Sequence, residues 1–377
     1  MNSKKKITFL TGTRADFGKL KSLIKVVEND DSFESNVFAT GMHLNAYYGY
    51  TIDEIYKNKI KNVFPFINHE NNEFMDRTLS KTIEGFSHFV HENSPDLIVV
   101  HGDRVEALAG AIVGSLNNIL VAHVEGGELS GTIDELIRHS ITKLSHIHLV
   151  ANEKARKRLI QLGEIERDIH IIGSPDIDIM SSRLPEIEDV KNYYEIAFSD
   201  YAIAMFHPVT TEYDLITTQI KIFVDSLIES DENYVLVYPN NDKGSKEILK
   251  EYARLTENRK FKIFPSLRFE FFLTLLKYSK FIIGNSSAGI KEASFFRTPT
   301  INIGTRQLNR DSSISVRNVD LIKTEILDAI ENISKIDFER NNANYLYGRG
   351  DSDKRFLKLI HKKSFWSTNI QKQFQER

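Results

Sequence analysis

Two runs of polar, ionisable residues begin where apolar runs stop. His101-Gly-Asp-Arg-Val-Glu106 follows Leu97-Ile-Val-Val100, and His123-Val-Glu-Gly-Gly-Glu-Leu-Ser-Gly-Thr-Ile-Asp134 follows Ile119-Leu-Val-Ala122. Carboxylates at such positions lose part of their hydration, so their presence calls for a chemical reason. Asp103, Glu125 and Asp134 supply three carboxylates whose pKa values the surroundings can push apart, which is what general acid–base catalysis needs. Arg104 can offset the charge of Asp103 or hold a phosphate. A lone Asp134 would read as a helix cap; three carboxylates near one crevice read differently. His101, Asp103, His123 and Glu125 are also possible metal ligands, but they show no close ligand spacing, and acid–base work ranks above metal binding.

Three further turns carry candidate ligand contacts. Thr11-Gly-Thr-Arg-Ala-Asp-Phe-Gly-Lys19 leaves an apolar run and opens a helix, so small residues and a helix N-terminus favour an anion there. Arg14 and Lys19 are its candidate binders, although the segment serves equally as a plain turn with Arg14 in solvent. It lacks the dinucleotide fingerprint. Ile282-Ile-Gly-Asn-Ser-Ser-Ala-Gly-Ile290 has the same strand–turn–helix form. Its Ser286 and Ser287 can donate to a diphosphate, Gly289 allows close approach, and Glu292 can accept from ribose hydroxyls. Simple capping by serine is the plainer alternative. His207 closes the run Tyr201–Met205, and Asn240 lies in the turn Tyr238-Pro-Asn-Asn-Asp-Lys-Gly-Ser245.

The elements that must position these groups alternate. Apolar runs at Ile7–Leu10, Val37–Ala39, Leu97–Val100, Leu120–His123, Ile147–Val150 and Ile169–Ile172 are separated by amphipathic stretches such as Leu79–Val90 and Glu135–Leu144. Apolar strands between helices indicate a parallel sheet covered on both faces. Residues from Gly173 to Pro185 read as a linker. The pattern then restarts with Tyr201–Met205, Tyr234–Tyr238, Phe261–Phe264, Phe281–Ile283 and Thr300–Ile303. The expectation is an α/β chain of two Rossmann-like doubly wound domains with an interdomain cleft, the GT-B arrangement of sugar-nucleotide enzymes. The first domain spans 1–178 and the second 186–355. A C-terminal helix, read at Asp353–Lys372 and carried to 356–377 as a segment, packs back onto the first.

With 377 residues, two domains are the default. A net charge of -3 leaves no basic footprint for nucleic acid. No apolar run approaches the roughly 20 residues that span a bilayer, and the basic start Met1–Lys6 leads straight into a strand rather than a signal peptide. With no Cys, thiolate nucleophiles, disulfides and Cys-based metal sites are excluded. A cytoplasmic enzyme is the expectation.

The motifs Thr11-Gly-Thr-Arg-Ala-Asp-Phe-Gly-Lys19, His101-Gly-Asp-Arg104, His123-Val-Glu-Gly-Gly-Glu-Leu-Ser-Gly-Thr132, Phe206-His-Pro-Val-Thr-Thr211, Gly284-Asn-Ser-Ser-Ala-Gly289 and Gly304-Thr-Arg-Gln307 resemble, in order and over nearly the whole chain, the hydrolysing UDP-N-acetylglucosamine 2-epimerases. Non-hydrolysing relatives tend to read Gly-Thr-Arg-Pro-Glu in the first turn and Glu-Ala-Gly-Leu-Arg where this chain has Glu125-Gly-Gly-Glu-Leu129. The resemblance implies UDP-GlcNAc and UDP as ligands and N-acetylmannosamine for sialic acid synthesis as product. The implied route is elimination to 2-acetamidoglucal followed by rehydration, without metal or nicotinamide. It implies Asp103, Glu125 and Asp134 as acid–base groups, with His207 assisting at the diphosphate. Arg14, Lys19, Arg104, Asn240, Ser286, Ser287, Gly289, Glu292 and Arg306 resemble substrate-contacting positions. A homo-oligomer, a dimer or dimer of dimers, is also implied. The rivals are the related enzyme acting on UDP-2,4-diacetamido-2,4,6-trideoxyglucose, a GT-B glycosyltransferase, and a non-enzymatic sugar-nucleotide sensor.

Overall fold

The computed structural model describes residues 4–68, 74–130, 132–240, 242–308, 314–333, 347–373 and 375. Gly131 and Asn241, which belong to two of the motifs above, lie outside the described residues, as do 374, 376 and 377 of the 356–377 segment. The chain forms two compact units, one of residues 1–128, 134–182 and 346–377, the other of 129–133 and 183–345.

The first unit opens with β1 (Lys5–Thr11), α1 (Arg14–Glu28), β2 (Phe33–Ala39), α2 (Ile52–Lys57) and β3 (Val63–Pro65). It continues through α3 (Met75–Asn93), β4 (Leu97–His101), α4 (Val105–Leu116), β5 (Leu120–Val124) and α5 (Ile133–Leu144). β6 (Ile147–Val150), α6 (Glu153–Gln161), β7 (Ile169–Ile171) and α7 (Pro175–Met180) complete it. Its sheet runs β3-β2-β1-β4-β5-β6-β7, with every pair parallel. The order reverses between β1 and β4, so the crevice beyond their C-terminal ends is where an open α/β sheet presents ligand-binding groups. Strands such as Leu97–His101 are buried on both faces, which is why they read as unbroken apolar runs.

The second unit contains α8 (Ile187–Tyr194), β8 (Ala202–Met205), α9 (Ile216–Glu229), β9 (Tyr234–Val237), α10 (Ser245–Tyr252) and β10 (Phe261–Phe264). Then follow α11 (Phe269–Tyr278), β11 (Ile282–Gly284), α12 (Glu292–Phe296), β12 (Thr300–Ile303), β13 (Val316–Val319) and α13 (Lys323–Ile333). Its parallel sheet runs β10-β9-β8-β11-β12-β13, so its order reverses between β8 and β11. Gly284 makes that junction possible: at φ +132, a Cβ there would lie 1.9 Å from the Met205 carbonyl oxygen.

The expected α/β class and parallel sheets are present, and three local expectations need correction. Gly173–Pro185 is not a simple linker, because Pro175 occupies the first turn of α7, where its missing N–H costs nothing, and Ile177 and Met180 are buried. The C-terminal segment is not one helix. α14 (Ser352–Ile360) and α15 (Lys363–Trp366) are separate, and Ser367-Thr-Asn369, whose side chains compete for backbone partners, end the helical run. The chain rejoins the first unit by residue 346 rather than at 356. The carboxylate of Asp178 accepts from the Ser352 and Asp353 backbone N–H groups at 2.9 and 3.0 Å and from the Ser22 hydroxyl at 3.0 Å, tying α14 to α7 and α1. Phe356 meets Phe9 edge-on, and Trp366 stacks on Phe33. Among the described residues, no helix is long and apolar enough to cross a membrane.

Candidate active site

The reversal point of the first sheet gathers the polar groups. Thr13 caps α1 by accepting from the Asp16 N–H at 3.1 Å, and Asp16 Oδ2 reaches back to accept from Gly12 N–H at 3.1 Å. That fixes the Asp16 carboxylate over the end of β4, where its Oδ1 lies 2.7 Å from His101 Nδ1. The other ring nitrogen, Nε2, faces Glu125 Oε2 at 3.3 Å, while the Ser174 hydroxyl donates to Glu125 Oε1 at 2.6 Å. Burial opposes charge on His101, but the carboxylates of Glu125 and Asp16 outweigh it and raise its pKa to about 9.

Glu125 has φ +65, unusual for a residue with a side chain. Such a conformation persists where several contacts dictate it. Here Glu125 N–H donates to the Leu149 carbonyl at 3.0 Å, and its own carbonyl accepts from Arg138 Nη1 at 2.8 Å. Arg138, 2% exposed, also donates from Nη2 to Asp103 Oδ2. Burial works against its charge, and Asp103, Glu128, Glu125 and Asp134 together overcome that and raise its pKa. The three expected carboxylates therefore share one buried cation on α5, with Asp134 one turn before it on the same helix.

Other expected residues of this unit have protein partners. Arg104 Nε donates to Glu106 Oε2 at 3.1 Å, and Arg138 pairs with Asp103. Lys19 lies 3.8 Å from the fully buried Asp176 of α7. Arg14 opens α1 beside His43 and is half-buried. His123 Nε2 donates to the Gly102 carbonyl at 2.8 Å, its Nδ1 in the neutral ring accepts from the Thr142 hydroxyl at 3.1 Å, and burial drives its pKa down to about 3. Among the described residues no group of three His, Asp or Glu is arranged to hold a metal ion.

The second unit repeats the arrangement at its own reversal point. His207, beyond β8, and Asn285, beyond β11, are locked together. The His207 N–H donates to Asn285 Oδ1 at 2.7 Å, and Asn285 Nδ2 donates to the His207 carbonyl at 2.8 Å. His207 Nδ1 accepts from Asn240 N–H at 3.0 Å, so in the neutral ring the proton sits on Nε2. Arg306 Nη1 and Gln307 Nε2 donate to the Asn285 carbonyl at 3.3 and 2.9 Å. Ser286 Oγ accepts from Ala288 N–H, and Ser287–Gly289 is a single 3₁₀ turn rather than the start of a helix. Glu292 is buried at the head of the five-residue α12, too short to carry a sizeable dipole. Gly289 serves packing, because a Cβ there would lie 2.7 Å from Thr300 Cγ2 of β12.

Thus Asp103, Glu125 and Asp134 converge in one unit, and His207, Asn240 and Arg306 cluster in the other with Asn285. Asp16, Arg138 and Ser174 complete these clusters and were not among the expected site residues, while His101, considered above only as a metal ligand, and Asn285 of the Gly284–Gly289 turn join them. The places of His101 and Asn285 directly at strand ends are the sequence signal for both. Arg138 and Ser174 carried no local signal.

A profile of the UDP-N-acetylglucosamine 2-epimerase family matches residues 25–361. A UDP-N-acetylglucosamine 2-epimerase of Neisseria meningitidis serogroup B is 47% identical over 98% of both chains. A Legionella pneumophila UDP-N,N'-diacetylbacillosamine 2-epimerase (hydrolyzing) is 33% identical over 94% of this chain and 95% of its own. The structure of Methanocaldococcus jannaschii UDP-GlcNAc 2-epimerase, solved with UDP-GlcNAc and UDP, matches with a TM-score of 0.80 and 22% identity over 94% of this chain and 99% of that one, a likeness of fold. With the profile covering most of its length and a relative at 47% identity end to end, the chain belongs to the UDP-N-acetylglucosamine 2-epimerase family.

Proposed function

We propose that the chain is a hydrolysing UDP-N-acetylglucosamine 2-epimerase, which converts UDP-N-acetylglucosamine and water into N-acetylmannosamine and UDP. The observation that carries this reading is the gathering of Asp103, Glu125 and Asp134 around Arg138. The reaction needs several proton transfers at one sugar ring. One group takes the C2 proton as the C1–O bond to UDP breaks, leaving 2-acetamidoglucal. Water then adds its oxygen to C1 and gives up a proton, while C2 receives a proton on its opposite face. A cluster of carboxylates held near one cation offers proton acceptors and donors without a cofactor. C2–H is a weak acid, so the leaving diphosphate needs strong stabilisation. Arg306, the His207 Nε2–H and the hydroxyls of Ser286 and Ser287 are donors of the right kind.

The hydrolysing outcome is supported by the Legionella relative whose name states it, and by Ala15-Asp16 and Gly126–Leu129 in the two turns where non-hydrolysing enzymes read differently. The choice of UDP-N-acetylglucosamine over a diacetamido-trideoxy sugar rests on the higher identity to the Neisseria enzyme. We place the free N-acetylmannosamine at the start of sialic acid synthesis.

Proton NMR of the reaction in deuterated water tests the reading. Free N-acetylmannosamine carrying deuterium at C2, released with UDP, is expected. UDP-N-acetylmannosamine as the sole product would assign the chain to the non-hydrolysing reaction. Turnover of only the trideoxy sugar nucleotide would overturn the substrate.

A further inference from the structure

His101 is buried and lies between two carboxylates, with one ring nitrogen for each. Nδ1 lies 2.7 Å from Asp16 Oδ1, and Nε2, which makes no hydrogen bond of its own, has Glu125 Oε2 at 3.3 Å. A neutral imidazole carries one N–H, so one carboxylate would face a lone pair at close range. Only the imidazolium presents a proton to both. Both carboxylates are themselves anchored, Asp16 by Gly12 N–H and Glu125 by Ser174 Oγ–H. Neither can turn away from the ring without breaking that bond. The β1–β4 reversal of strand order creates this row, since it sets the turn after β1 beside the end of β4, with β5 next.

We propose that His101 is a positioning residue that acts as a fixed cation, holding Glu125 ionised and oriented for proton transfer, with Asp16 securing the charge on the ring. The proposal rests on the reading of Glu125 as an acid–base group. It gives a task to a histidine that does not itself exchange protons with substrate. With Glu125 ionised, the preferred state of His101 is charged up to about pH 9.

The surrounding groups leave this transition isolated. His43 packs beside Asp16 and Arg14, and burial lowers its pKa to about 4. His123 of β5 is held neutral with a pKa of about 3. Arg138 of α5 is permanently charged and donates to the Glu125 backbone carbonyl at 2.8 Å. Glu106 of α4, paired with Arg104, packs against Gly12, and Lys19 of α1 pairs with Asp176 of α7. No other histidine of this cluster titrates between pH 6.5 and 9.

Two measurements test the proposal. In the first, His101 is followed through its ring proton by NMR. It should titrate near pH 9 in the wild-type protein and fall by at least one unit in Glu125→Gln; titration near 6.5 in the wild type would overturn the proposal without bearing on the reaction. In the second, kcat/KM for UDP-N-acetylglucosamine is followed against pH. The wild type should lose activity above about pH 9. His101→Gln should lower kcat on the order of 100-fold with a smaller change in KM, abolish that alkaline limb and move the acid limb to higher pH. Asp16→Asn should keep the alkaline limb but shift it to lower pH. A His101→Gln enzyme whose residual activity keeps the wild-type pH profile would reduce the residue to a packing role. Absence of any turnover of UDP-N-acetylglucosamine by the wild type would instead count against the functional reading, and the NMR titration would still stand by itself.

Discussion

Arg138 does two jobs with one guanidinium. One nitrogen holds the backbone of Glu125 in its left-handed conformation, and another holds the carboxylate of Asp103. Lysine keeps the charge but loses the planar fork, so it can satisfy one anchor and not both. Arg138→Lys should therefore fold and bind substrate, while kcat falls on the order of 100-fold from misplacement of the acid–base groups; steady-state kinetics on the purified variant would show a fall in kcat with KM nearly constant. A variant with wild-type kcat would remove Arg138 from the positioning of the site. Arg138→Met leaves partly buried carboxylates facing each other and should cost roughly 3 kcal/mol of stability. The carboxylates themselves were legible in the sequence because they interrupt apolar runs. Their partners were not. Arg138 sits in an ordinary amphipathic helix and Ser174 in a Gly-, Ser- and Pro-rich stretch, and only the packing of α5 and the turn before α7 against the ends of β4 and β5 brings them into range. Arg104, expected to offset Asp103 or to hold a phosphate, has Glu106 as a partner as well, two residues on and already inside α4.

At the scale of elements, the strands buried in the middle of each sheet could be read from their apolar runs, whereas β3 and β13 could not. Both are sheet edges of three or four residues, half-buried or exposed along their length, with Pro65 ending one and Arg317 and Asn318 within the other. An edge strand is buried on fewer sides and so leaves little pattern. The C-terminal segment was expected to pack back onto the first domain, but which element it reaches was not legible, because that contact is long-range. Past α15 the chain runs back to α5, the helix that carries Asp134 and Arg138. Lys372 Nζ donates to the carbonyls of Thr142, Lys143 and Ser145 at 2.9, 3.0 and 2.7 Å, satisfying the orphan acceptors at the end of α5. It also pairs with the buried Glu164, which meets His148 Nε2 at 3.0 Å. The Ile370 carbonyl faces His146 Nε2 at 3.1 Å. Lys372→Met should thus lower stability by about 1–2 kcal/mol, since it removes a donor from three carbonyls and one of three partners from Glu164, which keeps Lys143 at 2.9 Å and His148 at 3.0 Å. Hydrogen exchange should quicken first in the last turn of α5. An unchanged melting temperature, with unchanged exchange there, would show that the tail is not holding the helix.

At the scale of the whole molecule, the first unit holds His43, His101, His123, His170 and Glu164, whose ionisation is strongly displaced between pH 2 and 9. Burial keeps His43, His123 and His170 neutral, with pKa values of about 4, 3 and 4 against 6.5 for a free histidine. Their unfolded forms bind protons below pH 6.5 and the folded forms do not, so stability is lost as pH falls from 6.5 through 4 and 3. Glu164 is pulled to about 2 by His148 and Lys372 against the opposing effect of burial, and adds a further loss between pH 4.5 and 2. His101 has the opposite sign: with its pKa raised to about 9, its contribution is complete below pH 6.5 and disappears as pH rises through 9. The stability of the first unit should therefore peak near pH 6.5 and decline on both sides. In the second unit, Tyr201, Tyr234 and Tyr252 are raised by burial, Tyr213 by its hydrogen bond to Glu247, and Arg254 by Glu251 and Asp225, and all of these keep their ordinary ionisation in this range. Scanning calorimetry from pH 4 to 9, with hydrogen exchange to assign each transition, should show the melting of residues 5–182 moving with pH far more than that of residues 183–333. His101→Gln should flatten the alkaline side of the first unit's curve and leave its acid side in place. Parallel shifts of both units, or an alkaline decline that survives the substitution, would mean that the buried histidines do not set the pH response.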